Sequence, residues 1–188
     1  TSGATGALSC AIGAVTSPGD EVLILAPFWR LIRGIVRAFR ATPVEVPFFD
    51  GVGSAAEAVE AVRALRSPRC VALYVSTPSN PTGRVIPGDW LEALAHFARR
   101  ENLWLLSDEV YEDYAYAAPH VSLGRFAPER TFSAFSFSKA YAMAGDRIGY
   151  LCGPQAGIAH ARKLATHTFY TAPTVGQRAA LGALEGAA

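Results

Sequence analysis

The sequence predicts an α/β fold of three layers, α/β/α, with helices on both faces of a mostly parallel, doubly wound sheet. Two observations predict it. Short, nearly continuous apolar runs alternate with amphipathic stretches along the chain, the rhythm of strands covered on both faces and joined by crossover helices. The residues with unusual chemistry then fall just after the apolar runs. Those positions are the carboxyl ends of strands, where open α/β sheets bind their ligands.

The elements follow in order. Small and apolar residues from Gly3 to Val15 read as a helix, stopped by Ser17-Pro18-Gly19-Asp20. Glu21 to Ala26 is a strand closed by Pro27. Leu31, Ile32, Ile35, Val36 and Phe39 recur at helical spacing, with Arg30, Arg33, Arg37 and Arg40 between them on a solvated face. A strand near Pro43 to Pro47, a helix from about Ser54 to Arg66 and a strand at Cys70 to Ser76 continue the pattern. A helix at Asp89 to Arg100, a strand at Leu103 to Ser107 and another near Phe132 to Phe135 complete it. Leu184 to Ala188 reads as part of a further helix. The chain starts at Thr1 and stops within that pattern, so it is expected to be one domain cut from a larger protein.

Composition narrows the function. With 51% hydrophobic and 18% charged residues the chain is a globular domain rather than a disordered one. A net charge of +1 without a Lys/Arg run argues against nucleic acid or an anionic membrane as a partner and for a small molecule. No apolar run approaches the roughly 20 residues of a membrane span, and no leader pattern is present, so a cytoplasmic location is expected. Cys10, Cys70 and Cys152 lie far apart without metal-ligand spacing, which predicts neither a disulfide framework nor a metal site.

The chemistry collects at one rim. The strand ends are followed by Pro27-Phe28-Trp29, by Asn80-Pro81-Thr82-Gly83, by Asp108-Glu109-Val110-Tyr111 and by Ser136-Phe137-Ser138-Lys139. Together they aim an aromatic ring, an amide, a carboxylate with a phenol, and a lysine at one place. Lys139 stands out because arginine occurs fifteen times and lysine only twice, at Lys139 and Lys163. A primary amine can lose its proton and attack a carbonyl, which a guanidinium cannot.

Ser136-Phe137-Ser138-Lys139-Ala140-Tyr141-Ala142-Met143-Ala144-Gly145-Asp146-Arg147-Ile148-Gly149-Tyr150 resembles the lysine motif of class I/II aminotransferases, the fold type I enzymes that depend on pyridoxal 5'-phosphate. Asn80-Pro81-Thr82-Gly83, Ser107-Asp108-Glu109-Val110-Tyr111 and Thr5-Gly6-Ala7-Leu8 are similar to three more motifs of that family, in its order. The resemblance covers most of the chain and implies a large cofactor-binding domain over residues 1–188, without the N-terminal arm and C-terminal small domain of the family.

The resemblance also implies roles. Lys139 forms the Schiff base and then moves the substrate proton, and Asp108 pairs with the pyridine nitrogen and keeps it protonated. Asn80 and Tyr111 hydrogen-bond the phenolic oxygen, although Asn80 before Pro81 also suits a turn. Trp29 stacks on the cofactor face, with Phe28 as the neighbouring alternative. Gly3, Ala4 and Thr5 at the opening of the first helix, with Ser136, Ser138 and Arg147, hold the phosphate. Many relatives carry an aromatic residue where this chain has Asp146; a carboxylate there is a potential partner for Arg147, and the departure reads as tolerated variation. None of the four histidines is assigned a role; His96 is assigned to helix packing or the surface.

The expected activity is transfer of an amino group between an L-amino acid and a 2-oxo acid, in a homodimer whose site borrows residues from its partner. A C–S lyase or decarboxylase on the same scaffold is the alternative within enzymes. The effector domain of a transcription regulator is the alternative outside them.

Overall fold

In the computed structural model, which describes residues 1–186, six strands form one sheet in the order β2-β1-β3-β4-β5-β6. The strands are β1 (Glu21–Ala26), β2 (Thr42–Pro47), β3 (Cys70–Ser76), β4 (Trp104–Asp108), β5 (Thr131–Ser136) and β6 (Gly149–Cys152). The first five run parallel, and β6 pairs antiparallel with β5. The helices are α1 (Gly3–Val15), α2 (Leu31–Ala38), α3 (Ala55–Leu65), α4 (Gly88–Arg100), α5 (Gln155–Thr168) and α6 (Thr174–Gly186).

Strand alternation divides the core into two layers of side chains. Leu23, Leu25, Leu73, Val75 and Leu105 face α3 and α4, where Val62, Leu91 and Leu94 close the layer. Val22, Ile24, Tyr74, Leu106 and Phe132 face the other way, onto Leu8 and Ile12 of α1 and Ile32 and Val36 of α2. The chain thus winds from β1 through α2 on one face to β2, then returns through α3 and α4 on the other. Its direction reverses between β1 and β3, the place where α/β sheets open a ligand crevice.

The predicted elements are present with ends shifted by a residue or so. The shifts matter at two strand ends, because Asp108 and Ser136 prove to be the last residues of β4 and β5. The antiparallel β6 and the helix α5 were not legible: β6 is four residues, Gly-Tyr-Leu-Cys, and α5 buries only Gly157 and Ala161. The predicted terminal helix is present as α6 up to Gly186, and its final residues 187–188 lie outside the described residues. The arginine face of α2 is solvated as predicted, with Arg33 paired to Glu45 at 2.6 Å. Among the described residues no helix is long and apolar enough to cross a membrane.

Candidate active site

The carboxyl ends of β1, β3, β4 and β5 and the first turn of α1 line a cleft open to solvent on one side. Trp29 reaches it after β1, Asn80 from the turn after β3, Asp108 from the end of β4, and Ser136, Ser138 and Lys139 from the end of β5 and the turn that follows. Each connection is short, so the strands fix these positions to within the reach of a side chain. Of the residues predicted for the site, only Gly3 does not line the cleft.

The inner end is acidic. Asp108 is 7% exposed, and burial pushes its carboxyl above the ordinary range, opposed by the donors it accepts. Those donors are the Tyr74 hydroxyl at 2.6 Å from Oδ2 and the Val110 N–H at 3.4 Å from Oδ1. Beside it, Glu109 is fully buried and points away from the cleft to the His120 ring at 2.8 Å and the Ser122 hydroxyl at 2.9 Å. Burial raises the Glu109 carboxyl, but its donors, His120 foremost and Ser122 among them, outweigh it and leave Glu109 below its usual range. His120 therefore ties the loop after β4 to the sheet, a histidine role that no sequence motif had signalled. Glu109, His120 and Glu112 bring one oxygen or nitrogen each to within 4.8 Å of one another. Glu109 is already committed to its donors. His96 behaves as predicted, exposed on α4 and 3.8 Å from Glu92.

A second group of lining residues is cationic. Helix α1 starts without a side-chain cap and without an acidic residue in its first turn, leaving its positive end uncompensated. Among the described residues, nothing accepts from the Ala4 and Thr5 N–H groups, whereas Gly3 donates to Thr1 and Arg147 carbonyls. The Arg147 backbone is left-handed (φ 55), and its guanidinium lies over Gly3, where an added Cβ would sit 2.6 Å from Nη2. Gly3 is required for this approach rather than for lining the cleft. Arg147 Nη1 donates to the Ala144 carbonyl at 2.9 Å and reaches the Ser138 hydroxyl at 3.5 Å. Asp146 does not pair with Arg147: among the described residues Arg147 makes no ion pair, and its left-handed backbone sends the side chain toward Gly3 and Ala144.

Strand β6 sets this group in place. A Cβ on Gly149 would lie 2.5 Å from the Phe135 carbonyl oxygen, 2.7 Å from the Gly3 carbonyl carbon and 2.8 Å from the Ala4 nitrogen. All three are backbone atoms, so neither neighbour can yield by turning a side chain. Gly149→Ala is expected to lower stability by about 1–3 kcal/mol, the usual cost of overpacking, and to push the start of α1 away from the cleft. Urea unfolding of the purified protein checks the first effect. An unchanged midpoint would show that the β6–α1 contact is slack.

At the mouth, the Lys139 ammonium lies 5.9 Å from the centre of the Tyr111 ring. Lys139 is exposed, Tyr111 and Trp29 are half-buried, and Asn80 stands where the Gly83 N–H closes the turn on the Ser79 carbonyl at 2.8 Å. The turn reading and the cleft reading of Asn80 thus hold together. Phe28 turns out of the cleft, with the Arg33 guanidinium 5.5 Å from its ring centre, and Trp29 is the ring that enters. Leu8, Val110 and Ala144 also line the cleft. Sequence reasoning missed these three because apolar residues at such spacings are indistinguishable from core.

Across residues 1–188 the chain matches the family model described as aminotransferase class I and II. The chain belongs to the class I and II aminotransferase family. It is 42% identical over 171 residues, 91% of this chain and 44% of the relative, to a probable aspartate/prephenate aminotransferase of Thermus aquaticus. It is 37% identical over 185 residues, 97% of this chain and 47% of the relative, to an arginine–pyruvate transaminase of Pseudomonas aeruginosa. Among solved structures, Thermus thermophilus aspartate aminotransferase with maleate superposes with a TM-score of 0.91 at 40% identity, covering 98% of this chain and 48% of that one. The chain therefore spans about half the length of the relatives it matches.

Class I and II aminotransferases depend on pyridoxal 5'-phosphate. That molecule needs an anion receptor for its phosphate, a carboxylate for its ring nitrogen, a flat apolar wall for its ring and an amine for its aldehyde. The donor set of the cleft fits: a cationic helix end with Arg147, a buried Asp108, the Trp29 indole and the Lys139 amine are all present.

Proposed function

We propose that the chain is the cofactor-binding part of a pyridoxal 5'-phosphate-dependent aminotransferase that exchanges an amino group between an L-amino acid and a 2-oxo acid. The observation that carries this reading is that Lys139 shares one cleft with the buried Asp108 carboxylate and with Arg147 at the uncapped start of α1. When bound, the cofactor supplies a conjugated ring that accepts the electrons left behind when a substrate Cα loses its proton.

The chain's own residues would do the rest. Lys139 would hold the cofactor through its aldehyde, and its amine would be the group that takes the substrate's Cα proton and gives it back. Asp108 pairs with the ring nitrogen and holds a proton there; its burial makes that pairing strong because little water competes. Asn80 and Tyr111 donate to the ring's phenolic oxygen. Trp29 covers one face of the ring and keeps water from it. Ala4, Thr5, Ser136, Ser138 and Arg147 bind the phosphate, and Gly3 lets Arg147 close over it.

The substrate's own carboxylate needs a separate grip, so that its Cα–H bond stands perpendicular to the ring. Among the described residues Arg147 is the only arginine lining the cleft. Arg84 is turned to the Phe49 carbonyl, and Arg125 and Arg178 are exposed elsewhere. The proposal therefore extends to a homodimer in the cytoplasm, with the carboxylate grip supplied from outside these residues. The names of the similar proteins, aspartate/prephenate and arginine–pyruvate among them, point to different amino acids and leave the side chain specificity to assay.

The test uses the full-length protein loaded with cofactor. Addition of an amino acid alone is expected to convert the bound aldehyde absorbance to that of the amine form in one turnover, and a 2-oxo acid is expected to reverse it. Release of carbon dioxide, or of a β-substituent with ammonia, without any need for a 2-oxo acid would replace transamination by decarboxylase or lyase chemistry.

A further inference from the structure

Tyr74 belongs to no motif and lies beneath the cleft rather than in it. On β3 it sits in register with Ile24 of β1 and Leu106 of β4, and it is fully buried in the layer that faces α1. A phenylalanine would fill such a place as well. Burying a hydroxyl there costs about 1–3 kcal/mol unless it finds a partner. Its partner is Asp108, 2.6 Å away.

That bond has two consequences. It occupies Oδ2, so the oxygen with room for a further donor is Oδ1, whose one contact is the long approach of the Val110 N–H at 3.4 Å. It also favours the ionised form of a carboxylate that burial would otherwise push toward neutrality. Asp108 closes its strand, and Tyr74 stands two residues below the end of the neighbouring strand on the same face, in the row beneath the Ser76–Asp108 pair, with the Ser76 hydroxyl as its other polar neighbour.

Resting on the assignment of Asp108 to the ring nitrogen, we propose that Tyr74 is a positioning residue that keeps Asp108 charged and aimed, and so sets how completely the cofactor's ring nitrogen stays protonated. Tyr74 touches neither cofactor nor substrate; it acts through Asp108. A phenol that donates to the carboxylate makes the carboxylate a weaker competitor for the proton they share with the ring. Removing the hydroxyl lets the proton move toward Asp108.

The experiment reads the proton directly. Full-length protein is loaded with pyridoxal phosphate labelled with ¹⁵N in the ring, and the nitrogen resonance is recorded for wild type, Tyr74→Phe and a protein with 3-fluorotyrosine at position 74. Tyr74→Phe is expected to move the resonance toward that of unprotonated pyridine, with kcat down about tenfold, the rate equivalent of one hydrogen bond to a charged group, and KM for the amino acid within about twofold. The fluorinated phenol is a stronger donor and is expected to move the resonance the other way, which decides the matter even if Tyr74→Phe fails to fold. Resonances that stay in place in both proteins, with only thermal stability changed, would reduce Tyr74 to a packing residue. Asp108→Asn serves as the control: if it too leaves the resonance in place, the assignment of Asp108 to the ring nitrogen falls and takes the role of Tyr74 with it. A control that moves while the Tyr74 proteins do not overturns the role of Tyr74 alone.

Discussion

In the full-length protein, Lys139→Ala is expected to leave no borohydride-stable attachment of pyridoxal phosphate and to lower transamination by at least about 10⁴-fold, the upper range of what one positioned acid–base supplies. The physical reason is that the proposed function gives Lys139 two separable tasks, covalent capture of the aldehyde and proton transfer at the substrate Cα, and among the described residues no other amine lines the cleft. Lys163, the other lysine, is on α5 and exposed, away from the strand ends that build the site. Reduction of the wild-type holoprotein followed by peptide mapping checks the assignment, and cofactor found on Lys163 would sink it. An added small amine should restore part of the proton transfer but none of the attachment, since it can take a proton without being tethered.

The second large effect belongs to Asp108. Asp108→Asn keeps the volume of the side chain and its ability to accept from Tyr74, but removes the charge that holds a proton on the ring nitrogen. Proton removal from the amino acid is expected to slow by about 10²–10³-fold, the scale of losing one preorganised electrostatic partner of a developing charge, while the covalent attachment through Lys139 still forms. Single-turnover absorbance measurements on the holoprotein separate these two events. A near-normal rate would mean that another group holds the ring nitrogen. The loss is large because Asp108 is 7% exposed, so water cannot take over the role of the missing charge.

These two residues were legible early because chemistry constrains them more tightly than packing does. Lys139 stands out in a chain that otherwise uses arginine, and its neighbours carry a motif whose order matches three others along the chain. Asp108 follows an apolar run and precedes a tyrosine, where a strand end meets a loop. The parallel sheet was legible for a related reason: strands buried on both faces read as apolar runs, and the runs at Glu21–Ala26 and Cys70–Ser76 have no other reading at that length. By contrast β6 is too short to show a period, and α5 buries too little to show a stripe.

What the sequence by itself determined is the fold class, the family and the candidates for the reactive residues, since all of these depend on local patterns of residue type and spacing. Only the tertiary structure decided which side chains those residues answer to. It chose Trp29 over Phe28 for the cleft, freed Arg147 from Asp146 by a left-handed backbone, and tied Glu109 to His120 across the following loop. Above all it placed the Tyr74 hydroxyl under Asp108, 34 residues apart in the chain. Such a contact arises from the register between two strands, and register is set by the packing of whole layers rather than by any neighbour in sequence.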